Sequence, residues 1–126
     1  MSAPHRVQLS RKKGWRKPEN TVVVARGTVW GNPFRVTEHC RGADWGVEDT
    51  GRFNLPLGNG WTKAGAARFA VQCYQQAFDQ AFPEGSTARW AMLQPLRGKN
   101  LACWCPLDQP CHADVLLELA NQKDDA

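Results

Sequence analysis

Four stretches of the chain carry a readable hydrophobic pattern. Thr21-Val22-Val23-Val24-Ala25 follows Pro18 as a short β-branched run, and its length and composition predict a buried strand. Ala66, Ala70, Cys73, Tyr74, Ala77, Phe78 and Ala81 recur at spacings of three and four. That draws one apolar face of a helix over residues 62–82, with Thr62 as its N-cap and Pro83 and Gly85 as its stop. Asn100 to Cys105 reads as a second buried strand. Beyond the Pro106–Pro110 loop, Cys111 or His112 opens a last helix with Val115, Leu116, Leu119 and Ala120 as its stripe. A shorter helix is expected from Thr87 to Leu93, ended by Pro95. Cys73 reads as a core thiol, and Trp61 and Trp90, which flank helices, read as packing residues.

Residues 35–61 show no such period. Gly42, Gly46, Gly51, Gly58, Gly60 and Pro56 interrupt them, so the expectation is a long functional loop or a small irregular insertion. A short strand near Arg35-Val36 fits within it. The order strand, long loop, helix, strand, helix implies an α/β layer with parallel pairing. The predicted fold is a small single domain, a short, mainly parallel sheet flanked by helices, in a reduced Rossmann-like form. Two strands make a thin sheet, so one or two more are expected from residues 5–10 or 34–57. The chain divides into a basic arm (1–20), the α/β domain (21–122) and a polar tail (123–126).

Composition narrows the class. The chain has 126 residues, 42% of them apolar, which suits one domain with its own core. No run approaches the ~20 apolar residues of a membrane span, and no apolar segment follows the basic N-terminus, so neither a membrane protein nor a secreted one is expected. Five Cys, an odd number without a secretory signal, argue against a disulfide framework and for buried thiols, a metal site or a reactive thiol. The formal charge of +4 is unevenly spread. Arg6, Arg11, Lys12, Lys13, Arg16 and Lys17 stand against Glu19 alone in the first 20 residues, and the body is near neutral. Residues 6–17 are therefore a candidate nucleic-acid contact, set against the plainer reading of a solvated leader.

The chemistry gathers in Cys103-Trp104-Cys105 and Cys111-His112. Residues two apart on a strand share a face, so Cys103 and Cys105 would be neighbours. With Cys111 and His112 they make a closed structural zinc set of three thiolates and one imidazole. The spacing argues the other way, because adjacent residues at a helix start diverge by about 100°. A second reading makes Cys111 a functional thiol, its pKa lowered by the helix N-terminus, with His112 transferring protons and Cys103 or Cys105 resolving a disulfide. A third makes the turn an anion site beside the end of the first strand. Arg26 would supply a charged fork there, with Gly27, Trp30, Gly31, Asn32, Cys105 and Asp114 around a phosphate-bearing ligand. Trp30 or Phe34 could stack on a base and Asn32 read its edge, or these residues could cap the core and hold the turn. Cys103 can equally be plain core; Cys40 is unassigned, and His39 reads as a surface residue rather than a ligand.

Arg16-Lys17-Pro18, Thr21 to Val24, Arg26, Trp30-Gly31-Asn32-Pro33-Phe34, Leu96 to Cys105 and Pro110 to Leu116 together resemble domain-of-unknown-function family 4326. The likeness covers most of the chain outside the leader and residues 35–61. It implies a compact cytosolic α/β protein of bacterial or bacteriophage origin and no established reaction. The family's Cys-Trp-Cys and Cys-His motif falls on Cys103, Trp104, Cys105, Cys111 and His112. The expectation is a cytoplasmic protein that binds a nucleotide, a nucleoside or a similar ligand. If it is an enzyme, it acts on N-glycosidic or phosphate bonds through Cys111 or His112. The alternative is a non-enzymatic phage accessory protein that binds nucleic acid or a host protein, with a zinc-stabilised Cys/His turn.

Overall fold

A three-stranded parallel sheet forms the centre of the molecule, in a computed structural model that describes residues 4–40, 44–51 and 55–121, the side chains at 39, 40, 55 and 60 excepted. Its strands are β1 (Arg6–Gln8), β2 (Thr21–Val23) and, between them, the strand Asn100–Cys103. Leu101 pairs with Arg6 on one side and Val22 on the other. Leu101, Ala102 and Cys103 are all buried, as a central parallel strand covered on both faces requires.

The remaining strands are β3 (Phe34–Cys40), β4 (Asp44–Asp49) and β5 (Leu55–Trp61), which form an antiparallel meander. The central parallel strand is thus β6. Helix α1 (Lys63–Ala81) follows, then α2 (Thr87–Leu93), a 3-10 turn over Gln94–Leu96, β6 and α3 (His112–Ala120). Thr62 caps α1 by accepting from the Gly65 amide at 3.0 Å. The fold is a small α/β arrangement with three helices and two small sheets, one of them parallel.

Helix α1 serves two cores with one stripe. Ala66 and Ala70, in its first half, pack with Val47 beneath the meander. Tyr74 and Phe78, further along, join Val24, Leu96, Leu101 and Leu116 in the main core. Small residues at the first two positions let the meander approach closely, and aromatic ones fill the wider space beside the parallel sheet. Cys73 stands at the edge of this stripe and is half-buried rather than core.

Two expectations change, those for residues 35–61 and for Trp90. Residues 35–61, expected to be an irregular loop or insertion, are mostly sheet. Val36 and Val47 face each other across β3 and β4 and turn an apolar face to α1, as period-2 strands do. The glycines fit this: a Cβ on Gly58 would lie 2.9 Å from the Trp61 ring, so Gly58 lets that ring lie over the strand. The further strand expected from residues 5–10 forms as Arg6–Gln8, and the Leu9 amide donates to the Cys103 carbonyl at 2.9 Å. Trp90, expected to pack, is 61% exposed. The side chains of His39 and Cys40, and the tail 123–126, lie outside the described residues.

Candidate functional site

Both halves of the cysteine motif hang from the carboxyl end of β6. Cys103 is its last residue, and Cys105 follows two positions later, with the two Sγ atoms 3.8 Å apart. The loop 106–110 then returns the chain to Cys111, the N-cap of α3, and His112, its first residue. Cys111 has φ −147° and ψ 146°, which is extended backbone. The 100° divergence expected of two helical neighbours therefore does not apply, because Cys111 stands just outside the helix. Cys111 Sγ lies 3.7 Å from His112 Nδ1. Cys103 Sγ, Cys111 Sγ and a His112 ring nitrogen all fall within 4.8 Å of one another.

The second nitrogen of His112 decides what the first can do. Its Nε2 sits 2.6 Å from the Val24 carbonyl, at the end of β2. A carbonyl only accepts, so Nε2 carries the proton and Nδ1 presents a lone pair to the thiols. A ligating histidine is commonly oriented in this way, with its outer nitrogen donating to a backbone carbonyl. The ring is only 4% exposed and lies against Tyr74, with ring centroids 5.0 Å apart. These residues can hold a metal ion.

The thiols also perturb one another. Hydrogen bonds from Cys105 and then Cys111 hold the Cys103 thiol far below its usual range. Cys111 is pushed up by its hydrogen bonds with Cys103 and then Cys105, and by burial. Cys105 is raised as well, chiefly by its hydrogen bond with Cys103. The lowering expected at Cys111 is thus found at Cys103. A helix N-terminus contributes less here than two thiols in direct contact. None of Cys73, Cys103, Cys105 and Cys111 is in a disulfide.

Arg6 fastens the loop, and sequence reasoning missed it. Its guanidinium donates to the Pro106 carbonyl at 2.9 Å, the Leu107 carbonyl at 2.6 Å and the Asp114 carboxylate at 2.9 Å. The side chain is only 7% exposed. Nothing local marks it, since it begins a basic run and its partners lie about a hundred residues away.

A cavity of about 430 Å³ opens beside the cluster. Its lining brings together Arg26, Asn32, Cys105, Cys111 and His112 from the predicted set, with Cys103, Trp104 and Arg35. Gly27, Trp30, Gly31 and Asp114 are not on it. Asp114 is taken by Arg6. Trp30 packs against the main core, and its indole nitrogen donates to the Met92 carbonyl at 2.9 Å. Gly27, at φ +97°, supplies a turn conformation open to glycine. A Cβ on Gly31 would lie 2.9 Å from both the Ala25 carbonyl oxygen and Arg26 Cα, so that glycine permits a close backbone crossing. Asn32 faces the cavity but also accepts from the Phe34 amide at 2.8 Å, which holds its own turn.

The family profile described as Domain of unknown function (DUF4326) matches residues 7–122. An uncharacterized 12.4 kDa protein from the nrdA-td intergenic region of Enterobacteria phage T4 is similar, 29% identical over 120 residues. The shared region spans 94% of this chain and 85% of the phage protein. No solved structure matches. No helix among the described residues is long and apolar enough to cross a membrane.

Proposed function

This chain belongs to the domain-of-unknown-function family DUF4326, and we propose that it is a small ligand-binding protein whose pocket is walled by a structural zinc site. Cys103, Cys105, Cys111 and His112 Nδ1 would be the four ligands. The ligand taken by the pocket would be a nucleotide, a nucleoside or a similar phosphate-bearing molecule. The compartment that suits free thiols and a phage relative is the cytoplasm of a bacterial host.

One observation carries the reading: the spacing of the donors beside the cavity. Zn–S bonds of about 2.3 Å and a Zn–N bond of about 2.0 Å set tetrahedral edges of about 3.8 Å between sulfurs and about 3.5 Å between sulfur and nitrogen. The Cys103–Cys105 and Cys111–His112 separations are 3.8 and 3.7 Å. Thiolates with one imidazole favour zinc over hard cations such as Mg²⁺ or Ca²⁺. Three thiolates and one imidazole would fill a tetrahedron, so the ion would be structural, with Cys111 and His112 as ligands rather than acid–base groups.

The anionic ligand follows from the rest of the lining. Arg26 and Arg35 are the cations there, and Arg35 is already paired with Glu48, so Arg26, which has no ion-pair partner among the described residues, is the fork offered to a phosphate. The pocket lies at the carboxyl end of β6, where parallel, Rossmann-like sheets place their ligands. The test is a thermal-shift panel of nucleotides and nucleosides on the zinc-loaded chain. A nucleotide should raise Tm, and Arg26→Gln should remove at least tenfold of the affinity while leaving the unliganded Tm unchanged. A panel with no shift at millimolar concentration would end the ligand reading.

A further inference from the structure

The outward residue of the Cys-Trp-Cys motif has no role in the metal set. Cys103 and Cys105 turn inward, and Trp104, between them, is 47% exposed. A zinc turn needs nothing aromatic there; any residue would serve. The ring nevertheless lines the cavity, and the Arg11 guanidinium lies over it, 4.9 Å from its centroid.

Arg11 is brought there by the sheet. The Leu9 amide donates to the Cys103 carbonyl and extends the pairing of β1 with β6 by one step. Ser10 Oγ then accepts from the Lys12 amide at 3.1 Å, and the Trp15 amide donates to the Lys12 carbonyl at 3.0 Å. The leader is thereby folded beside Trp104. Arg11, Lys12, Lys13, Arg16 and Lys17 are all exposed, and none makes an ion pair among the described residues.

We propose that the pocket's ligand is presented by a single-stranded nucleic acid, with one base stacked on Trp104 and the phosphate backbone running along residues 11–17. The proposal rests on the phosphate-bearing ligand of the preceding reading and names its source. Five unpaired cations in seven residues exceed what one mononucleotide can neutralise, and they match a run of phosphates. An exposed indole beside such a run is the stacking platform of sequence-tolerant single-strand sites. A duplex fits poorly, because the base that stacks on Trp104 must be unpaired to reach it.

The test is fluorescence anisotropy with the full, zinc-loaded chain and three probes: a labelled dT12, the same sequence as a duplex with dA12, and a mononucleotide as competitor. The single strand should bind at least tenfold tighter than the duplex or the mononucleotide. Its log K should fall with log salt at a slope of about −3 to −4, since each neutralised phosphate of a single strand contributes about −0.7. Trp104→Ala should weaken dT12 about tenfold with the slope unchanged. Lys12→Gln, Lys13→Gln and Arg16→Gln together should flatten the slope by about 2, with zinc content and Tm held. Equal affinity for dT12 and the mononucleotide would overturn the proposal and leave the pocket reading intact. Tight dT12 binding that ignores Arg26→Gln would break the link to the pocket and overturn it too. Equal binding of poly-glutamate would make the partner an acidic protein, against the proposal.

Discussion

The 26–34 loop and the 103–112 loop border one cavity, and they are held in opposite ways. In the first, the Thr28 amide and hydroxyl both donate to the Ala25 carbonyl, the Gly31 amide to the Thr28 carbonyl and the Phe34 amide to Asn32. Tyr74 reaches from α1 to donate to the Trp30 carbonyl at 2.8 Å. That loop satisfies its polar groups within itself and against the helices behind it. Within loop 106–110, by contrast, one backbone hydrogen bond runs from the Gln109 amide to the Pro106 carbonyl. The buried Gln109 Oε1 has no hydrogen-bond partner among the described residues. Its remaining anchors are Arg6 and the thiol–imidazole cluster. Two motifs that look alike as unusual sequence therefore differ in kind: one is backbone geometry, the other a donor set.

The comparison breaks first at its strongest point. Cys111→Ser removes one donor and should cost on the order of 4–5 kcal/mol with loss of bound zinc, because a structural zinc ion contributes folding energy outright. Chemical denaturation beside metal analysis reads both. An unchanged midpoint in Cys111→Ser would place the two loops in the same class. Gly31→Ala tests the other side. Its new Cβ would meet backbone at 2.9 Å, which should cost about 1–3 kcal/mol while zinc stoichiometry stays that of the parent. Smaller still, Tyr74→Phe leaves the Trp30 carbonyl without its donor and should cost about 1 kcal/mol, again with zinc retained. If either loop-26 variant released zinc, the division between geometry and donors would fail.

Much of this architecture can be read from the chain. The three- and four-residue recurrence from Ala66 to Phe78 marks α1, and the β-branched run from Thr21 marks β2. Pro95 marks the end of α2, which runs over Thr87–Leu93 as expected. The meander was hidden because Gly46, Gly58 and Gly60 read as breakers. The use of Gly58, to let the Trp61 ring lie over the strand, appears only when strands pair. Of the site, the donor inventory was legible and its convergence was not. Sequence neighbours at a helix start diverge, and only the extended φ and ψ of Cys111 aim its sulfur at His112. The Arg6 clamp could not be read at all, since a cation in a basic run looks solvated until the sheet buries it. Gly27, Trp30 and Gly31, expected around the ligand for their motif, shape the turn that carries Arg26 and Asn32 to the cavity.

The zinc site is the claim on which the comparison turns, and elemental analysis of the chain purified without chelator tests it most directly. The account predicts close to one equivalent of zinc per chain, with Cys103, Cys105 and Cys111 protected from thiol reagents until a chelator removes the ion. Less than about half an equivalent, with all three thiols reacting freely in the folded protein, would contradict it.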